Sequence, residues 1–187
     1  MTLYCATGNS GKLREFRLAA GDGFEIEALT SVAAPEETGS TFEENAAEKA
    51  VYYSRYAPGL LFADDSGLEV DALGGAPGIY SARYAGDDSA NNARVLREME
   101  GVVNRAARFV SVIAVAEHGE LVRTFRGEVE GELLTGPRGD GGFGYDPLFW
   151  YPPFGCSLAE VETERKHAVS HRGKALALML AWVKANR

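Results

Sequence analysis

Cysteine is scarce in this 187-residue chain, which has only Cys5 and Cys156. One lies in an early apolar run and the other in a late loop, without CxxC or metal-like spacing. Neither a disulfide framework nor a cysteine metal site is on offer, and free thiols in a reducing cytoplasm are expected. Long apolar runs are also missing. No stretch approaches the ~20 residues of a membrane span, and no basic segment at the N-terminus leads into an apolar one, as a signal peptide requires. Positive charge is in deficit, with 27 acids against 19 lysines and arginines and a formal net charge of -8. A generic nucleic-acid or anionic-membrane surface needs basic patches, so no nucleic-acid or membrane partner is expected. A small anionic ligand in a local basic pocket stays open. Repeats and low-complexity segments are absent. With 45% hydrophobic and 25% charged residues, the chain reads as one cytoplasmic globular domain over 1–187, or two tightly joined lobes.

The most distinctive stretch starts from the apolar run Leu60-Leu61-Phe62-Ala63. It is expected to end as a buried strand at Asp64-Asp65, followed by a Ser66-Gly67 turn. Asp64, Asp65, Glu69 and Asp71 repel one another and cannot all be buried without a compensating cation. The stretch is either a solvated acidic turn or a hard-cation site, because Mg²⁺ takes one or two carboxylates plus substrate phosphate oxygens.

At the N-terminus, a short strand over residues 2–6 runs into Thr7-Gly8-Asn9-Ser10-Gly11-Lys12. An amphipathic helix follows, with Leu13, Phe16 and Ala20 on one face. Strand, glycine loop and helix with early Lys12 and Arg14 read either as a tight turn or as a phosphate cradle, in which backbone N–H groups and the helix dipole face the anion. It is not a Walker A loop, since Leu13 stands where that loop has its metal-binding hydroxyl.

Thr41 and Glu44 form a capping-box signature opening a helix to about Tyr56, with Asn45 and Lys49 sharing a face. Asp87 and Asp88 mark the start of a helix over 90–100. Residues 107–117 and 121–134 read as a hairpin about Glu117-His118-Gly119-Glu120, the second strand bent at Gly127 and Gly131. In Gly141-Gly142-Phe143-Gly144-Tyr145-Asp146, the two aromatics either offer faces on which a base can stack or are tucked into the core from a glycine-rich hairpin. Ser170 is expected to cap the C-terminal helix, whose first turn carries His171, Arg172 and Lys174. Cations there oppose the helix dipole, an arrangement that an anion relieves.

Six segments, in order, resemble the inosine triphosphate pyrophosphatase family, also described as Ham1-like or non-canonical purine NTP pyrophosphatases. They are Thr7–Lys12, Thr41–Ala46 with Lys49-Ala50, Ala63–Leu68, Gly74–Tyr84, Gly142–Pro147 and Ser170–Ala175. The resemblance runs from residue 2 to about 180. It implies an elongated, two-lobed α/β fold around a long mixed, twisted β-sheet flanked by helices, with a nucleotide cleft between the lobes. It further implies a homodimer and Mg²⁺-dependent cleavage of ITP, dITP and XTP to monophosphate and pyrophosphate. Residue by residue, Thr7, Gly8, Asn9, Ser10, Gly11 and Lys12 would bind the phosphates. Glu36 and Asp65 would hold Mg²⁺, with Asp65 also the catalytic acid/base. Ser66 would lie beside the substrate, Phe143, Gly144, Tyr145 and Asp146 would meet base and sugar, and Lys166, His171 and Arg172 would complete the pocket. Lys166 matches its motif only partly, flanked by Arg165 and His167. Either member of the Glu36-Glu37 pair can be the metal ligand, and Asp65 can deprotonate the water or only place it. The rivals are a pyrimidine-directed pyrophosphatase, a phosphatase with an aspartate nucleophile, and a nucleotide sensor without turnover.

Overall fold

A computed structural model describes residues 1–30 and 32–187. The strands are β1 (Thr2–Ala6), β2 (Glu25–Ala28), β3 (Leu61–Val70), β4 (Ala106–Glu117), β5 (Glu120–Leu133), β6 (Phe149–Tyr151) and β7 (Cys156–Ser157). They form one mixed sheet in the order β2-β1-β3-β4-β5-β6-β7, flanked by helices. β1 pairs in parallel with β2 and β3, setting Cys5 opposite Phe62, whereas β6 is antiparallel to β5 and β7. The predicted hairpin between β4 and β5 turns on His118 and Gly119, with φ of 52° and 86°. Left-handed backbone at both turn positions matches the strand twist of a two-residue hairpin.

Two compact units divide the chain: Met1–Asp65, Ser111–Gly127 and His171–Arg187 in the first, Ser66–Val110 and Glu128–Ser170 in the second. In the first unit, α1 (Ser10–Ala20) and α5 (His171–Asn186) pack around Leu3, Cys5, Ile26, Phe62 and Ile113. Phe16 of α1 meets Phe62 edge-on, with centroids 5.1 Å apart. On α5, Ala175, Leu176, Met179, Leu180 and Val183 recur at three- and four-residue steps and are buried. Each large side chain removed from water contributes about 1.5–3 kcal/mol. The second unit gathers Leu68, Val70, Val95, Phe109, Leu133, Leu148 and Phe149 around α3 (Asp88–Glu98).

One local expectation changes. β3 does not end at the paired aspartates but runs through Asp64, Asp65, Ser66 and Gly67 to Val70. The acids do not break it, because neighbouring lysines neutralise them and Leu68 and Val70 restore apolar burial beyond. β5 runs as one strand past both of its glycines, as expected. A short helix, α4 (Thr163–Val169), precedes α5.

Gly127 serves a close approach. A Cβ there would lie 2.2 Å from the carbonyl oxygen of His171 and 2.6 Å from the amide nitrogen of Ala175. The first turn of α5 thus rests on the backbone of β5, which fixes where His171 and Arg172 begin. Gly127→Ala is expected to cost about 1–3 kcal/mol, as an overpacked core does. Urea unfolding measures it, and an unchanged midpoint would contradict this packing.

Candidate functional site

In the first unit, β1 delivers the chain to Thr7, and α1 begins at Ser10. Thr7 Oγ1 accepts from Asn9 N–H at 3.2 Å, and Asn9 Oδ1 caps the helix by accepting from Lys12 N–H at 3.0 Å. Gly8, Asn9 and Ser10 are exposed, so the turn opens to solvent as a cradle must. Lys12 Nζ donates to Asp64 Oδ2 at 2.6 Å. Asp64 is buried, accepts from Ser111 Oγ at 2.5 Å, and has Arg172 Nε at 3.8 Å. Burial alone would raise the Asp64 pKa, but Lys12, Arg172 and the Ser111 hydroxyl outweigh it and hold the carboxyl well below the usual range.

Arg172 also pairs with Glu15, a buried carboxylate of α1. The anion foreseen beside the cationic start of α5 is therefore supplied in part by the protein, through Glu15 and Asp64. His171 is buried with Arg172, and Lys174 is exposed. A carboxylate beside buried Phe16, three residues after Lys12, was the sequence signal for Glu15.

Asp65 faces another cation. Lys49 Nζ, on α2 (Phe42–Ser54), donates to Asp65 Oδ1 and Glu37 Oε1, each at 2.9 Å. Burial raises the Asp65 pKa above its usual value, Lys49 pulling the other way. For Lys49, burial works downward, but Asp65 and Glu37 carry the net shift up, keeping the ammonium charged. Asp65 Oδ2 is buried and has no hydrogen-bond partner. The structure thus joins Glu37 to Asp65 through Lys49, while Glu36 is exposed. Lys49 was legible as a face-sharing partner of Asn45, without a role.

The segment carrying these acids is tied down by α2. Glu44 accepts from Ser40 N–H and Oγ at 2.7 and 2.8 Å; Glu48 accepts from Thr38 N–H and Oγ1 at 3.1 and 2.9 Å. Thr41 caps α2 through Glu44 N–H as foreseen, and the Glu44 carboxylate faces the Thr41 backbone as well as Ser40. Gly39 fits under this strap, since a Cβ would lie 2.6 Å from Asn45 Oδ1.

The second unit holds the remaining residues. Ser66 follows Asp65 on β3 and is half-buried. Lys166 of α4 is buried and donates to Asp146 Oδ2 at 2.6 Å, with its ammonium 5.0 Å from the Phe143 ring centroid. Asp146 Oδ2 also accepts from Phe143 N–H at 3.0 Å. Lys166, Phe143 and Asp146 are therefore brought together, although the motif around Lys166 matched only partly. The Tyr145 ring belongs to the core, and its hydroxyl donates to the Ser81 carbonyl at 2.8 Å. Of the two aromatics expected to offer stacking faces, Phe143 is the half-exposed one.

Whether the residues suit a hard cation is answered at Asp65, where a buried carboxylate oxygen lacks a hydrogen bond that its burial demands. Among the described residues, no three His, Cys, Asp or Glu side chains cluster as a protein-only metal cage. Mg²⁺ does not ask for one, because it takes one or two carboxylates with substrate phosphates and water. The residues fit.

Three kinds of comparison agree. The family model described as the Ham1 family matches residues 3–182. The dITP/XTP pyrophosphatase of Acidobacterium capsulatum is 49% identical, with 97% of each chain covered. That of Deinococcus deserti is 52% identical over 94% of this chain and 86% of the relative. The solved structure of a HAM1 protein from Coxiella burnetii superposes with a TM-score of 0.90 at 38% identity, covering 99% of both chains. The Staphylococcus aureus Ham1 protein gives 0.88 at 37% identity over the whole of both. On sequence and fold together, the chain belongs to the Ham1 family.

Proposed function

We infer that the protein hydrolyses non-canonical purine nucleoside triphosphates, dITP, ITP and XTP, to the monophosphate and pyrophosphate. The observation that carries this reading is its end-to-end likeness to dITP/XTP pyrophosphatases. Water adds to the α-phosphorus as the bond from that phosphorus to the bridging oxygen breaks, and pyrophosphate leaves with the bridging oxygen. Thr7–Lys12 receive the phosphates, and Lys12 stabilises the leaving pyrophosphate by preorganised charge. Asp65 accepts the proton of the attacking water or orients that water, with Lys49 holding its carboxylate in place.

Asp65 and a member of the Glu36-Glu37 pair would hold Mg²⁺, which when bound neutralises phosphate charge and lowers the pKa of water. Hypoxanthine and xanthine carry an acceptor oxygen at position 6, where adenine has a donor. Donors from Arg172 or His171 leave ATP mispaired, a mismatch worth up to about 10⁴-fold or more.

Homodimeric assembly rests on the family resemblance, and cytoplasmic location on the two unpaired cysteines and the lack of long apolar runs; both are part of the proposal, and sedimentation measures the first. No described helix is long and apolar enough to cross a membrane.

The test is hydrolysis of dITP, XTP, GTP, ATP and dTTP with Mg²⁺, scoring pyrophosphate and orthophosphate separately. Pyrophosphate from dITP and XTP with little from ATP or GTP is expected. Orthophosphate, a preference for dTTP or no turnover would overturn the reading.

A further inference from the structure

We propose that Asp88 and Asn92 of α3 are positioning residues for purine selection, clamping the Gly144 peptide so that Phe143 meets the base in one fixed presentation. This rests on the purine nucleotide reading above. Gly144 N–H donates to Asp88 Oδ2 at 2.8 Å, and the Gly144 carbonyl accepts from Asn92 Nδ2 at 2.8 Å. Both polar groups of one residue are thus taken by two side chains four apart on one helix face.

The place matters. Gly144 has φ of 62°, and a glycine is where such a loop has most freedom to lose. Its neighbours are held by other means, Phe143 N–H on Asp146 Oδ2 and Tyr145 Oη on the Ser81 carbonyl. The clamp itself is well set. Asp87 caps α3 through Ala90 N–H at 2.8 Å, and Asn92 Nδ2 also donates to the Asp88 carbonyl at 2.7 Å, fixing the amide. Asp88 was expected only to favour the helix dipole; here it reaches out of the helix as well.

Asp88 and Asn92 act through Gly144. Without the clamp, the loop must be ordered when the base binds, and that entropy falls on substrate binding rather than on the chemical step. One hydrogen bond of ordinary net strength corresponds to about fivefold in affinity.

The experiment measures dITP kinetics for wild type, Asn92→Ala, Asp88→Ala and Asp88→Asn, with inorganic tripolyphosphate as a base-free competitive inhibitor. Each alanine variant is expected to raise KM for dITP about fivefold, with kcat within about twofold. The tripolyphosphate Ki should stay at the wild-type value, since the phosphate cradle is untouched. Asp88→Asn keeps an acceptor for Gly144 N–H and should restore KM. Should Asn92→Ala fail to fold, the exposed Asp88 pair carries the test. Unchanged KM in both alanine variants, KM and Ki rising together, or Asp88→Asn as impaired as Asp88→Ala would overturn the proposal. Wild-type protein inert towards dITP would instead bring down the functional reading, a failure visible before any variant is made.

Discussion

Asp65→Asn is expected to lower kcat for dITP by about 10²–10⁴-fold while nucleotide binding persists. Asparagine keeps the shape and an acceptor for Lys49 but loses the charge and the basicity. Asp65 is the group whose ionised form the fold makes costly: burial raises its pKa, and one oxygen is left without a hydrogen bond. A protein keeps so unfavourable a carboxylate where it has chemistry to do. Its loss should therefore cost little stability. Steady-state kinetics with pyrophosphate detection, paired with calorimetric binding of dITP, make the measurement. Wild-type kcat in the variant would remove Asp65 from the mechanism. Binding without turnover in the wild type itself would favour the sensor.

The neighbouring residue should behave in the opposite way. Asp64→Asn is expected to destabilise the protein by about 3–5 kcal/mol, the cost of removing one partner from a buried ion pair. The variant leaves Lys12 and Arg172 close together without the carboxylate they share. Urea unfolding in the presence of a chelator reads this directly, and a change below about 1 kcal/mol would make the pair a surface-like one.

Asp64 also predicts how acid acts. Its folded-state pKa lies below the ordinary value, so its contribution is complete above about pH 4, where the unfolded carboxyl is also ionised. That contribution is lost as pH falls through the depressed folded value. Wild-type stability should therefore drop on acidification below pH 4 more steeply than that of Asp64→Asn. Parallel curves would show that the charge is not held as described. Two adjacent aspartates of one strand thus shift in opposite directions, because Lys12, Arg172 and Ser111 outweigh burial at Asp64 while burial prevails over Lys49 at Asp65.

Much of this was legible along the chain. β1, the cradle, the Thr41 cap, the α3 start and the hairpin at His118-Gly119 are local events. Each is set by residues within a few positions of one another, so spacing and turn chemistry suffice to find them. The six ordered motifs made the family readable for the same reason. Other features were misread, left between two readings or missed because their cause is distant. Ser66-Gly67 reads as a turn after paired acids, yet β3 passes through, since Lys12 and Lys49 come from other elements to neutralise Asp64 and Asp65. Tyr145 reads equally as a stacking face or a core residue until the packing around it is known. Glu15 carries no signal of its role until Arg172, 157 positions later, is placed against it.

By itself, the sequence determined most of the element types, the strand–loop–helix at Thr7–Lys12 and the family, because composition and short-range spacing encode all of these. Tertiary structure alone decided the partners: Lys12 for Asp64, Lys49 for Asp65 and Glu37, Glu15 for Arg172, Lys166 for Asp146, and α3 for Gly144. The physical reason is that charge pairing acts over a few ångströms of space, whatever the separation in sequence, and burial then settles which ionised form survives.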